Sequence, residues 1–140
     1  MNARIFALFA ALAATACSPE APPQRPPLEG ARIGGPFALT DQDGKAVTDA
    51  SFAGKYRIVY FGYTFCPDVC PLDAQNIGAA LKLLEKTDPT LARNIVPIVI
   101  TVDPARDTPA VMKQFVSAFH PRMVGLTGSP EEIARVAKEY

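Results

Sequence analysis

From Gly35 onward the spacing of apolar residues switches repeatedly between strand-like and helix-like periods. "FALTDQDGKAVT" places two short runs around Asp43-Gly44, a turn pair, and predicts a β-hairpin. "YRIVYFGY" is a nearly continuous apolar and aromatic run, which predicts a central strand covered on both faces. From about Cys70 to Lys86, Ile77, Ala80, Leu81 and Leu84 recur at helical spacing. "NIVPIVITVD" predicts a second buried strand. "TPAVMKQFVSAF" predicts a second helix, capped by Thr108 with Pro109 at its first position. Val124-Gly125-Leu126 reads as a short third strand, and Ser129-Pro-Glu-Glu132 opens a last helix with a capping box.

The central order β–α–β–α defines an α/β fold in which two parallel strands are joined by a right-handed crossover. Both strands then end at one edge of the sheet. Phe65 and Cys66 lie just beyond the first strand end, and Asp103 just beyond the second. Sites in open α/β sheets form at that edge.

Residues 1–16 carry a different pattern. Arg4 precedes an apolar run from Ile5 to Ala16, too short for the ~20 residues of a membrane-spanning helix, so the segment reads as an export signal rather than an uncleaved anchor. "ATAC" resembles the lipobox of bacterial lipoproteins, with Ala14 where that pattern favours Leu. The resemblance implies that Cys17 is lipidated and takes no part in redox or metal chemistry. Residues 17–34 are proline-rich and without hydrophobic periodicity, a tether that reaches from a membrane surface. Residues 35–140 then form one domain, a length that suffices for a core.

Composition narrows the class. The chain of 140 residues has 14 basic and 14 acidic residues, formally neutral, and loss of Arg4 with the signal leaves one acid in excess. Such a balance carries no nucleic-acid footprint. Three cysteines are too few for a disulfide scaffold.

The chemistry concentrates in "TFCPDVCP". Cys66 and Cys70 are separated by three residues, one more than in common dithiol oxidoreductases. Cys70 opens the first predicted helix and Cys66 sits in the turn before it, so the two thiols can share one spot. A helix N-terminus favours thiolate over thiol. A thiolate pair can bind a soft metal or exchange with a disulfide, and the bland alternative is two inert core cysteines. Pro67 and Pro71 stiffen the loop.

"YFGYTFCPDVCP", "TVDPARDTP" and "FHPRMVGLTGSPEEIARVAKEY", in that order, resemble the SCO/SenC family of copper-handling proteins needed for cytochrome c oxidase assembly. The resemblance covers Gly35 to Tyr140. It implies a thioredoxin-like fold, attachment to a membrane facing the periplasm, Cys66 and Cys70 as copper ligands, and delivery of copper to the oxidase's second subunit or another copper-accepting protein. It also implies a third copper ligand, a histidine past a further strand hairpin. The chain stops at Tyr140, in what that pattern makes the preceding helix. It is therefore expected to be truncated, lacking that ligand, the final hairpin and the final helix, with one strand left at an open edge. Two thiolates can hold linear Cu(I), whereas Cu(II) would miss its imidazole. The only histidine is His120. The helix before it carries it about 16 Å from the cysteine edge, so it is expected to be a surface residue and no ligand.

In "DPARDTP" the structural expectation is that Asp103 and Asp107 satisfy loop N–H groups, Thr108 caps the helix and Arg106 pairs with an acid; a functional one is that Arg106 or Asp103 meets a partner or tunes a thiol. Asp68 is expected either to cap the helix or to act on the cysteines through its charge. The leading function is a membrane-tethered copper metallochaperone without enzymatic turnover. The rival is a thiol–disulfide oxidoreductase using Cys66 and Cys70. A peroxiredoxin is a third reading, disfavoured because Tyr63 stands where that class has its Thr.

Overall fold

A computed structural model describes residues 28–140. The expected signal 1–16, Cys17 and the tether as far as residue 27 lie outside the described residues. The domain is built from β1 (Ala38–Asp41), β2 (Ala46–Thr48), a single 3-10 turn (Asp49–Phe52), β3 (Tyr56–Gly62), α1 (Val69–Thr87), α2 (Pro89–Ala92), β4 (Ile95–Thr101), α3 (Pro109–Phe119), β5 (Val124–Thr127) and α4 (Pro130–Glu139). Among the described residues no helix is long and apolar enough to cross a membrane.

The strands form one sheet in the order β2-β1-β5-β4-β3. The predicted hairpin is present: Asp41 accepts from the N–H groups of Asp43 and Lys45, each at 2.9 Å, and Gly44 takes the left-handed φ of +78° that the turn needs. β3, β4 and β5 run parallel, and β1 closes antiparallel on β5. The predicted parallel pair, its crossover helix and the common strand edge are therefore all realised.

One expectation is corrected. β3 is not a central strand covered on both faces; among the described residues it lies at one edge of the sheet, the open edge that the family resemblance implied, and Tyr56, Arg57 and Ile58 are exposed. Tyr56 donates to Asn94 and Val102 donates to Gly62, so the even-numbered residues of β3 and β4 bond across their seam. Arg57, Val59 and Phe61 consequently turn their backbone groups to the free edge. The same alternation turns Pro97 toward β5, which begins only opposite Ile98, so its missing N–H costs no ladder bond.

Two apolar layers cover the sheet. Phe37, Leu39, Ile98, Ile100, Leu126, Ile133 and Val136 pack on the α4 face. Ala74, Val99, Met112, Val116 and Met123 pack on the α1–α3 face. The buried stripe of α1 is Cys70, Ala74, Gly78 and Leu81, whereas Ala80 is exposed. Small residues in that stripe let α3 approach closely: a Cβ on Gly78 would lie 2.9 Å from the carbonyl oxygen of Phe119. Thr108 and Ser129 cap α3 and α4 as expected, the latter with a complete capping box. Just ahead of the expected domain start, Gly34 donates its N–H to the carbonyl of Glu139 at the end of α4.

Candidate metal and thiol site

β3 ends at Gly62 and the chain turns through residues 63–68 into α1. Cys66 is half-buried in that turn and Cys70 is buried in the first turn of the helix; both are free thiols. The Cys70 N–H donates to the Cys66 sulfur at 3.4 Å, so Cys66 occupies the role of a helix cap. Asp68, placed at the N-cap position, makes no capping bond with its side chain, which corrects one of the two roles expected of it. A hydrogen bond from the Cys70 thiol, followed by the N–H groups of Asp68 and Cys70, holds the Cys66 thiol below the ordinary cysteine range.

Two tyrosines flank the thiols. The Cys66 charge, with partial burial, raises the Tyr63 hydroxyl. Burial, then hydrogen bonds to Cys70 and Asp73, pushes Tyr60 well above the usual tyrosine range. Tyr60 and Cys70 meet over Gly62, where a Cβ would lie 2.6 Å from the Tyr60 ring and 3.3 Å from the Cys70 sulfur. The β3 terminus can approach the helix only because this residue is glycine.

The "DPARDTP" loop arrives from the end of β4. Asp107 is fully buried and accepts from the Thr64 N–H at 3.0 Å, the Thr64 hydroxyl at 2.6 Å and the Thr101 hydroxyl at 2.6 Å. Its expected role toward loop N–H groups is realised on the cysteine loop. Asp103 departs from that expectation: its carboxylate pairs with Arg106, and only its backbone carbonyl receives loop N–H groups. The Arg106 guanidinium lies over the Phe65 ring, 4.8 Å from its centroid, and 6.0 Å from that of Tyr63. Beside the loop, Thr64, Phe65, Val111, Gln114 and Phe115 line a cavity of about 370 Å³. Phe65, Val69, Leu72 and Val102 are exposed.

His120 is corrected from a surface residue to a buried one, 2 % exposed at the far end of α3. Its Nδ1 accepts the Arg122 N–H at 3.1 Å and its Nε2 lies 3.4 Å from Glu85. Arg122 also reaches Glu85 and the carbonyls of Ala92 and Ile95. Glu85 is fifteen residues along α1 from Cys70, about 22 Å of helix, so His120 is held away from the thiols.

Cys66 and Cys70 supply a soft donor pair, suited to Cu(I) or another thiophilic ion. Among the described residues no third His, Cys, Asp or Glu joins them in a group able to hold a metal. Thr101 and Gly62 were given no role by the sequence alone. A lone threonine ending an otherwise apolar strand was the available sign for the first.

Three parallel strands with a thiol pair at the start of the first crossover helix define a thioredoxin-like protein. The chain belongs to the SCO1/SenC family, whose profile matches residues 25–140. It is 46% identical over 110 residues to the protein SenC of Rhodobacter capsulatus, covering 79% of this chain and 48% of that protein. A crystal structure of Arabidopsis thaliana ScoI with copper bound superposes with a TM-score of 0.72 at 46% identity, covering 77% of this chain and 65% of that one. A structure of Bradyrhizobium japonicum ScoI with copper bound gives 0.70 at 52% identity, covering 77% and 66%. The chain thus spans about half the length of SenC and slightly under two thirds of each of those structures.

Proposed function

We propose that this chain is a copper metallochaperone that holds Cu(I) between the sulfurs of Cys66 and Cys70 and passes it to a copper-accepting protein during cytochrome c oxidase assembly. The oxidase's second subunit is the acceptor in this reading. A lipid on Cys17 and the tether of residues 17–34 keep the domain at the periplasmic face of a bacterial membrane. The observation that carries the proposal is the thiol pair itself: Cys66, partly exposed and favoured as thiolate, beside buried Cys70 at the start of α1. Family membership and relatives with copper bound support the choice of metal.

The test is anaerobic titration of the reduced protein with Cu(I) against a competing chelator, beside Cys66→Ser and Cys70→Ser. One-to-one binding lost in both variants is expected. Equal binding by either variant would overturn the clamp.

The same asymmetry favours a second activity. Cys66 is the partly exposed attacking thiolate and Cys70 the buried resolving thiol, an order suited to reducing a disulfide in the acceptor. Cys66 would attack one sulfur of the acceptor's disulfide and release the other as a thiol, giving a mixed disulfide; Cys70 would then attack the Cys66 sulfur, releasing the second acceptor thiol and leaving a Cys66–Cys70 bond. Trapping of a mixed disulfide by Cys70→Ser, and not by Cys66→Ser, is the expected result.

A further inference from the structure

The turn that presents Cys66 is held on the sheet by one buried carboxylate. Asp107 and Thr101 are both fully buried, and neither is close to Cys66 in sequence. One Asp107 oxygen accepts from the Thr64 N–H and the Thr101 hydroxyl; the other accepts from the Thr64 hydroxyl. The Thr101 oxygen in turn accepts the Asp103 N–H at 2.9 Å, so this network ties the end of β4 to the loop that follows it. Thr64 stands two residues before Cys66, and the intervening turn is closed by the Cys66 N–H on the Tyr63 carbonyl at 3.3 Å. On its other side Cys66 meets the first turn of α1 through the Cys70 N–H. Cys70 is fixed by its burial in the helix. The remaining freedom in the thiol pair therefore lies in the loop, and Asp107 removes it.

We infer that Asp107, acting through Thr64, is a positioning residue that sets where Cys66 stands relative to Cys70. It touches neither sulfur. The inference rests on the proposed use of the two thiols together, whether around copper or in a disulfide, since either requires convergent sulfurs. Partners that orient ligands in this way typically contribute 10- to 100-fold in metal affinity.

The decisive variants are Thr64→Val, which removes one hydroxyl at a partly buried site, and Thr64→Ser, which keeps it. Asp107→Ala and Asp107→Asn form a second pair, and circular dichroism reports whether each folds. Two readouts are taken on the full chain. One is Cu(I) affinity. The other is equilibrium with glutathione disulfide, in which the dithiol gives up two protons and two electrons as the Cys66–Cys70 bond and two glutathione thiols form. Thr64→Val is expected to bind Cu(I) about 10-fold more weakly and to shift the exchange toward the dithiol, with Thr64→Ser restoring both. Asn at 107 keeps two of the three acceptor bonds and can donate its amide N–H to the Thr64 hydroxyl oxygen in place of the third, so it is expected to recover most of what Ala loses. If Asp107→Ala does not fold, the Thr64 pair decides. A folded Thr64→Val with wild-type values in both assays would overturn the inference, as would a loss that Thr64→Ser shares. Failure of the copper reading is distinguishable, because it appears as absent or cysteine-independent Cu(I) binding in the wild type while the glutathione equilibrium still reports the loop.

Discussion

The N–H of Cys70 points at the sulfur of Cys66 from 3.4 Å, across the opening turn of α1. A helix start ordinarily uses a serine, threonine or carboxylate oxygen for this bond. Here a sulfur takes the place, and the same donors that cap the helix stabilise negative charge on Cys66.

That relationship predicts a pH profile. The Cys66 pKa is lowered, so its thiolate persists to lower pH than in a free cysteine, whose ordinary pKa is about 8.5. Iodoacetamide alkylation of Cys66, followed by mass spectrometry, is expected to reach its half-maximal rate at a lower pH than that of an unperturbed cysteine. Cys70→Ala removes the largest stabilising contact and moves the midpoint upward. Identical midpoints in wild type and variant would contradict the cause assigned.

Gly62→Ala tests the close approach beneath Cys70. The added methyl would have to displace the Tyr60 ring or the Cys70 sulfur. Overpacking of this kind costs about 1–3 kcal/mol. Denaturant unfolding is expected to show that loss, accompanied by weaker Cu(I) binding because Cys70 moves. A variant with unchanged stability would show that the contact relaxes freely.

His120 separates structural from metal-binding roles. Asparagine can still accept the Arg122 N–H, so His120→Asn is expected to keep wild-type Cu(I) affinity. It loses the ring's packing and its contact with Glu85. His120→Ala additionally leaves that N–H without its acceptor, a further loss of about 1 kcal/mol. Unfolding curves and chelator competition on the pair check both statements. A fall in copper affinity in folded His120→Asn would refute the structural assignment.

The free edge of β3 bears on association. Among the described residues Arg57, Val59 and Phe61 find no backbone partner there, and Tyr56 and Ile58 are exposed beside them. Such an edge is a template for pairing with a second strand. The chain is expected to associate with rising concentration in sedimentation velocity, and Ile58→Lys to shift it toward monomer. Equal sedimentation of both proteins would exclude this edge as the contact.

Much of this was legible in the residues. The Asp43-Gly44 turn, the capping signals at Thr108 and Ser129, and the strand and helix periods all act within a few positions, so each announces its own element. The strand edge common to Cys66 and Asp103 followed from the β–α–β order alone. The placement of β3 was legible only in part: its apolar run is what a central strand shows, the family resemblance implied one strand left at an open edge, and the pairing partners identify β3 as that strand among the described residues. The burial of His120 was equally hidden, since a histidine at a helix end reads as exposed until Glu85 and Arg122 are brought to it from other segments.

By itself, then, the sequence determined the elements, the parallel α/β order, the membership in a family and the pair of thiols at the start of a helix. These depend on local spacing, capping chemistry and motif order, which a linear chain displays directly. The tertiary structure alone decided that Asp107 grips Thr64 across 43 residues, that Tyr60 and Cys70 close over Gly62, and that His120 stands apart with Glu85. Those contacts depend on which faces meet when the sheet and helices pack, and hydrogen bonds and burial between distant segments acquire their energies only then.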